Sequence, residues 1–249
     1  MIKLFAFGPH FGVPDPSSFV LKLDAYMRMA GIEFETDASL RHLQRAPKGK
    51  LPFIEDDGQL IADTHFIIQH LERTRDVQLD AWLTPKQLGT ARLLGKAFDE
   101  HLYWCLLDSR WMRGTWPVLE KAFFGRLPFP LKAVVPRLAR GDVKTALHRQ
   151  GLGRHSYEEI LSITRYTLEG AAGALDDQAY FMGEQPCSLD AAAFGALAQV
   201  ILPTLDDDPV VQMARSFDNL VAYCARMRDR YYPEMARTGI SPETSEVPV

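Results

Sequence analysis

Three short stretches in the first third of the chain carry residue types whose spacing suits binding chemistry. Ser17-Ser18-Phe19 stands where a helical pattern begins, just after a strand-like run. Free amide donors and the positive end of the helix dipole favour an anion there, such as a thiolate, and a hydroxyl can hold a ligand's sulfur in that form by hydrogen bonding. Ser17 would serve equally as a plain helix cap. The second stretch, Lys50-Leu51-Pro52-Phe53-Ile54, puts proline at the first residue of a strand candidate, since proline cannot donate to a sheet ladder. A cis Leu51–Pro52 bond would leave the Leu51 N–H and C=O facing outward, able to pair with a peptide-like ligand, although cis is the minority isomer. The third, Asp63-Thr64, opens a helix directly after a strand. It is either one more cap or a carboxylate and hydroxyl, with free amides, that grip the amino-acid end of a ligand.

Other chemistry finds little support. No Walker loop, G-x-G-x-x-G, G-x-S-x-G or H-E-x-x-H occurs. His65 and His70 are five apart, so they do not stack on one helical face as zinc ligands would, and no metal is expected. Cys105, Cys187 and Cys224 lie far apart with no C-x-x-C pair, so each reads as a small buried hydrophobe rather than part of a disulfide framework. The net charge of −4 offers no basic field for a phosphate backbone, which excludes nucleic acid as an expected partner. The N-terminus lacks a signal peptide's apolar core, and no run approaches a membrane span. The expectation is a soluble, cytoplasmic protein.

The elements that must position these residues differ between the two parts of the chain. With 249 residues, 47% hydrophobic and 24% charged, the chain has globular proportions and room for one large or two small domains. Up to about residue 75, strands at Ile2–Phe7, Ile32–Thr36, Pro52–Glu55 and Gln59–Ala62 alternate with helical patterns, the last two strands joined by the Asp56-Asp57-Gly58 turn. The order β-α-β then ββα predicts a small mixed sheet whose first two strands are parallel. Everything after about Leu79 reads as helix. Long helices are expected over Lys86–Trp111, Ser156–Leu175, Asp190–Leu202 and Val210–Arg230, and only short ones between Gly114 and Gly151, where Pro117, Pro128, Pro130 and Pro136 intervene. The expected division is residues 1–76, 84–235 and a frayed tail over 236–249.

In this order and spacing the three stretches resemble the thioredoxin-like domain of glutathione transferases. Pro47-Lys48-Gly49-Lys50-Leu51-Pro52 is similar to the loop leading to that family's cis-proline. Gly58-Gln59-Leu60-Ile61-Ala62-Asp63-Thr64 is similar to the strand and acid-plus-hydroxyl pair that hold the γ-glutamyl group, and Phe181–Asp190 to the capping motif of the central buried helix. More narrowly, Ser17–Leu23, Tyr26–Gly31, Glu100–Trp104, Gly151–Ser156 and Cys187–Ala191 resemble the metaxin and failed-axon-connections branch with its bacterial relatives.

The resemblance implies a thioredoxin-like α/β domain followed by an all-α domain. It implies glutathione as co-substrate, held by Lys50, Leu51, Pro52, Asp63 and Thr64, with Ser17 stabilising the thiolate that attacks a small hydrophobic electrophile. Isomerase or dehalogenase chemistry would share those residues. Redox relatives carry Cys-x-x-Cys where this chain has Ser17-Ser18-Phe19-Val20, which removes thiol–disulfide exchange at that place. Cys187 replaces the usual threonine cap, and because a thiol is the poorer acceptor either this helix start is weaker or Ser188 takes the role. In the transferase fold the helix carrying Tyr103, Trp104, Arg110 and Trp111 faces the ligand cleft. Trp104 and Trp111 share a face by spacing, either as a substrate wall or as core, and Arg110 beside them is a carboxylate binder, a solvated arginine or a structurally paired one. The family commonly dimerises, so the resemblance implies that a homodimer is one option and leaves the oligomeric state open. The metaxin-like members imply the alternative, a binding or interaction module that keeps the fold without turnover; a loop His10–Pro16 closed over the cleft would favour it.

Overall fold

The computed structural model describes residues 1–237. Strand β1 (Ile2–Ala6) pairs in parallel with β2 (Phe34–Ala38) and antiparallel with β3 (Phe53–Asp56), which pairs antiparallel with β4 (Gln59–Ala62), giving the order β2-β1-β3-β4. The parallel pair is joined through α1 (Ser18–Met29), as a right-twisted β-α-β unit requires. Asp57 and Gly58 both take positive φ in the two-residue β3–β4 turn, the conformation that suits the twist of a tight hairpin. The short helix α2 (His42–Arg45) lies in the basic loop after β2, and α3 (Thr64–Arg75) follows β4.

The second half is helical: α4 (Pro85–Ala97), α5 (Tyr103–Met112), α6 (Trp116–Phe124), α7 (Leu131–Gln150), α8 (Tyr157–Leu175), α9 (Ser188–Ile201), α10 (Pro209–Arg215), α11 (Asp218–Tyr231) and α12 (Pro233–Arg237). Its centre is α9, whose residues from Leu189 to Ile201 are all buried. Alanines and Gly195 line it, so α1 packs directly onto its backbone. A Cβ on Gly195 would stand 2.6 Å from the Ser18 carbonyl oxygen and 2.8 Å from the Lys22 nitrogen.

Four expectations are corrected. The second strand lies two residues later than Ile32–Thr36, at Phe34–Ala38. The helix over Lys86–Trp111 is interrupted by a π-turn at Phe98–Leu102, which resets the faces that follow it. The helix over Val210–Arg230 is two helices, parted at Ser216-Phe217. The segment Gly114–Gly151 holds a 20-residue helix, α7, rather than short pieces. Pro130 stands at its N-cap, and Pro136 falls early enough that the carbonyl it leaves unpaired belongs to exposed Lys132, in reach of water. Cys105, Cys187 and Cys224 are free and buried. The tail expected to fray lies, beyond Arg237, outside the described residues.

Candidate functional site

The strand registers bring the three stretches together. Phe5 stands opposite Phe53, and Phe53 opposite Ala62, so one row of the sheet joins the C-terminal end of β1, the N-terminal end of β3 and the C-terminal end of β4. The loop to Ser17, the Leu51–Pro52 pair and the Asp63–Thr64 pair all leave the sheet at that end. The Leu51–Pro52 bond is cis. Among the described residues no hydrogen bond takes up the Leu51 N–H or C=O.

Ser17 is the N-cap of α1, half-buried, with its Oγ accepting from the Val20 N–H at 3.4 Å. That length is at the weak end for a hydrogen bond, so little is lost if the hydroxyl turns to a ligand. Ser18 is buried and its Oγ has no partner. Asp63 is the N-cap of α3 at φ 81°, ψ 125°, a backbone state that non-glycine residues adopt at a cost and that clusters at ligand clamps. One Oδ accepts from the His65 N–H at 3.1 Å, and the other stands 3.8 Å from the Lys48 ammonium. Lys48 in turn lies over the Phe66 ring, while Lys50 is exposed to solvent and Thr64 is buried.

Behind Ser17 sits a buried network that sequence reading missed. One Asp15 oxygen accepts the N–H groups of Phe7 and Gly8, each at 2.9 Å, and the other accepts the Ser17 N–H at 2.8 Å. The carboxyl thus ties the end of β1 to the start of α1. Burial pushes its pKa up to about 7 despite these three donors. Gln199 on α9 donates to the Asp15 carbonyl at 2.8 Å. An acidic residue two positions before a capping serine, in a loop that must return to a helix, was the available signal for Asp15. Gln199, the polar exception in an apolar helical run, was the signal for its partner.

Arg110 completes this network. It is fully buried and donates to the Pro16 carbonyl at 2.8 Å, and to the Gln199 carbonyl and Oε1 at 2.8 and 3.0 Å. Desolvation draws its pKa down to about 10. Its guanidinium is therefore structurally paired, neither solvated nor free for a ligand carboxylate. The other residues of that helix separate. Tyr103 meets Phe19 of α1 at 4.9 Å between ring centroids, and burial raises its phenol pKa. Trp104 points to the small core around Cys105, Leu147, Leu152 and Ile160, beside an open groove of about 450 Å³ that includes His101 and Arg154. Trp111 packs on Trp116 at 5.3 Å. Tyr103 thus stands next to the helix start that carries Ser17, and the two tryptophans line different contacts.

The loop His10–Pro16 is tied to the helical half. The Phe11 carbonyl accepts from the Thr204 N–H at 2.8 Å, and the His10 and Phe11 rings meet Phe123 at 5.2 and 6.1 Å. Among the described residues, none of its hydrogen bonds or ring contacts is with Leu51, Asp63 or Thr64. At the α9 start, Asp190 accepts the N–H of Cys187 at 2.8 Å and of Phe181 at 3.1 Å. Of the two alternatives for this helix start, Ser188 does not supply the cap: its hydroxyl donates to Asp80 at 2.6 Å and ties the helix to the linker. Among the described residues no cluster of three His, Cys, Asp or Glu could hold a metal ion. None of their helices is long and apolar enough to cross a membrane.

A thioredoxin-like sheet, loops carrying Ser17, Leu51–Pro52 and Asp63–Thr64 at one of its ends, and a helical second half define the architecture of glutathione transferases. Comparisons with known proteins agree. Residues 18–116 match the glutathione S-transferase N-terminal domain, and residues 167–227 the C-terminal domain. The isoprene-epoxide–glutathione S-transferase of Rhodococcus sp. (strain AD45) is 30% identical over 247 residues, 93% of this chain and 99% of that protein. The chain therefore belongs to the glutathione S-transferase family. Failed axon connections of Drosophila melanogaster is 30% identical over 94% of this chain and 59% of its own length, and human metaxin-2 is 24% identical over 89% and 84%. Among solved structures, the beta-etherase LigF of Sphingobium sp. strain SYK-6 superposes with a TM-score of 0.63 at 18% identity, covering 95% of this chain and 99% of that one.

Proposed function

We propose that the chain binds glutathione at the end of its sheet and conjugates the thiolate to a small hydrophobic electrophile. The observation that carries this reading is that the segments bearing Ser17, Leu51 and Asp63–Thr64 all adjoin the same end of the sheet, where Phe5, Phe53 and Ala62 form one row. The Leu51 N–H and C=O would pair with the peptide backbone of the tripeptide. Asp63 and Thr64 would hold its γ-glutamyl end, with Lys48 and Lys50 beside them. Ser17 would turn its hydroxyl from Val20 toward the sulfur, and together with the α1 dipole would lower the thiol pKa. The thiol proton goes to solvent, the sulfur forms a bond to the electrophilic carbon, and the leaving group or opened epoxide oxygen departs from that carbon. Tyr103 and Phe19 offer the apolar surface next to Ser17. The naming of the Rhodococcus relative as a glutathione S-transferase for isoprene epoxide supports an electrophile of this class.

The same reading puts the protein in the cytoplasm, where thiols stay reduced, as its three buried free cysteines suit. It also includes a homodimer: Leu60, Phe66 and Leu93 leave large apolar side chains exposed on both halves of the chain, surface that a second copy would cover. Calorimetric titration with glutathione, beside the variant Asp63→Ala, tests the core of the proposal. Binding that Asp63→Ala weakens is the expected result. No binding at millimolar glutathione would overturn it and favour a non-catalytic module on the same fold.

A further inference from the structure

Helix α7 carries two apolar faces, and among the described residues only one of them has a partner. Its inner face holds Pro136, Val143 and Leu147 against the second half, with Arg140 donating to the Trp111 carbonyl at 2.8 Å and lying over the Trp116 ring. Its outer face carries Leu131, Val134 and Leu138, spaced by three and four residues and therefore in one stripe. These are 48%, 47% and 64% exposed, and Phe129, just before the helix, is 88% exposed. Asp142 follows one turn after Leu138 and ends the stripe, so the apolar ridge belongs to the N-terminal half of the helix.

Charge says what such a ridge meets. The whole chain has a net charge of −4, yet residues 116–150 hold seven Lys and Arg against two acidic residues. Exposed Lys132 flanks the stripe on one side and exposed Arg137 and Lys144 flank it on the other. The segment also lies between the two stretches that match the family domains.

We propose that Phe129, Leu131, Val134 and Leu138 dock on an anionic lipid bilayer, entering the boundary between headgroups and acyl chains while Lys132, Arg137 and Lys144 pair with lipid phosphates. A protruding ridge with cations on both flanks fits a planar anionic surface, because long basic side chains can reach the headgroups on either side. A second copy of the same face would bring like charges together, which opposes self-association there. Attachment is peripheral: the helix lies along the surface.

Cosedimentation with vesicles tests this, using phosphatidylcholine alone and phosphatidylcholine mixed with phosphatidylglycerol. Binding is expected only with the anionic mixture, weakening as salt rises. The pairs Leu131→Asp/Leu138→Asp and Arg137→Glu/Lys144→Glu should each weaken it at least about tenfold. All four positions are exposed, so unchanged thermal melting would show that both variants stay folded. The proposal is overturned if anionic vesicles do not bind, if neutral vesicles bind equally, or if both folded variants bind as well as the parent. It is also overturned if Leu131→Asp/Leu138→Asp instead splits a dimer by light scattering, which would make a second copy the occupant.

Discussion

Arg110 on α5 donates to the carbonyl of Pro16, the residue just before the capping serine of α1, at 2.8 Å. A buried cation from the helical half thus fixes the backbone from which Ser17 projects, and the same guanidinium holds Gln199, which in turn holds the Asp15 carbonyl. The position of the candidate thiolate site depends on the packing of the two halves as well as on the sheet.

Replacing Arg110 by methionine, similar in length but without donors, should therefore do two things. It leaves the Pro16 and Gln199 carbonyls buried and unpaired, with an expected loss of about 3 kcal/mol in urea unfolding. It also frees the loop before Ser17, so glutathione affinity should fall at temperatures where the variant is still folded. Unchanged affinity in the folded variant would show that Asp15 alone holds the loop.

Asp15 gives a pH dependence of definite sign. Its folded pKa is raised to about 7 from an ordinary 3.8. Below 3.8 the carboxyl is protonated in both folded and unfolded chains, and its contribution to stability is complete. As pH rises toward about 7 the unfolded chain ionises freely while the folded chain keeps the proton, so stability falls across that window. Melting temperatures of the parent and Asp15→Asn over this range check it. The parent should lose stability with rising pH more steeply than the variant; parallel profiles would mean that folding leaves the Asp15 pKa unshifted.

The sheet and the outer helices were legible because their signals are local. Asp-Gly marks the β3–β4 turn, Ser156 and Glu159 form the expected capping box at the start of α8, and the β-α-β spacing set the parallel pair. The three candidate stretches were legible in type, but their convergence came from registers between strands. What failed was decided by longer-range contacts. The π-turn at Phe98–Leu102 rotates α5 relative to α4, and Tyr103 meets Phe19; Trp104 and Trp111 keep their seven-residue spacing within α5 but meet different neighbours two turns apart. Pro136 looked like a helix stop, yet its ring is buried in the packing of α7. Arg110 could be placed only once Pro16 and Gln199 were seen beside it.

Gly195 tests how tightly the two halves must close. Alanine there would put its Cβ against backbone atoms of Ser18 and Lys22, none of which can swing away as a side chain would. Helices α1 and α9 would have to separate by several tenths of an ångström. The expected loss is about 2 kcal/mol, read as a lower urea midpoint with an unchanged slope. Because Ser18 neighbours the cap, glutathione affinity should drop as well. A variant as stable as the parent would mean that the two helices part at little cost.

The two adjacent serines separate the catalytic proposal from a structural one. Ser17 is half-buried and only weakly engaged with Val20, whereas the Ser18 hydroxyl is buried without a partner. If Ser17 stabilises the thiolate, Ser17→Ala should lower kcat/KM about 100-fold while glutathione affinity stays nearly unchanged, because the lost bond forms to the ionised sulfur. The pKa of bound glutathione, followed by thiolate absorbance, should rise in the same variant. Ser18→Ala should leave both quantities near the parent values. A Ser17→Ala protein with parent-like turnover and an unshifted thiol pKa would reduce Ser17 to a helix cap, and the expected stability loss of about 1 kcal/mol would then be its only effect.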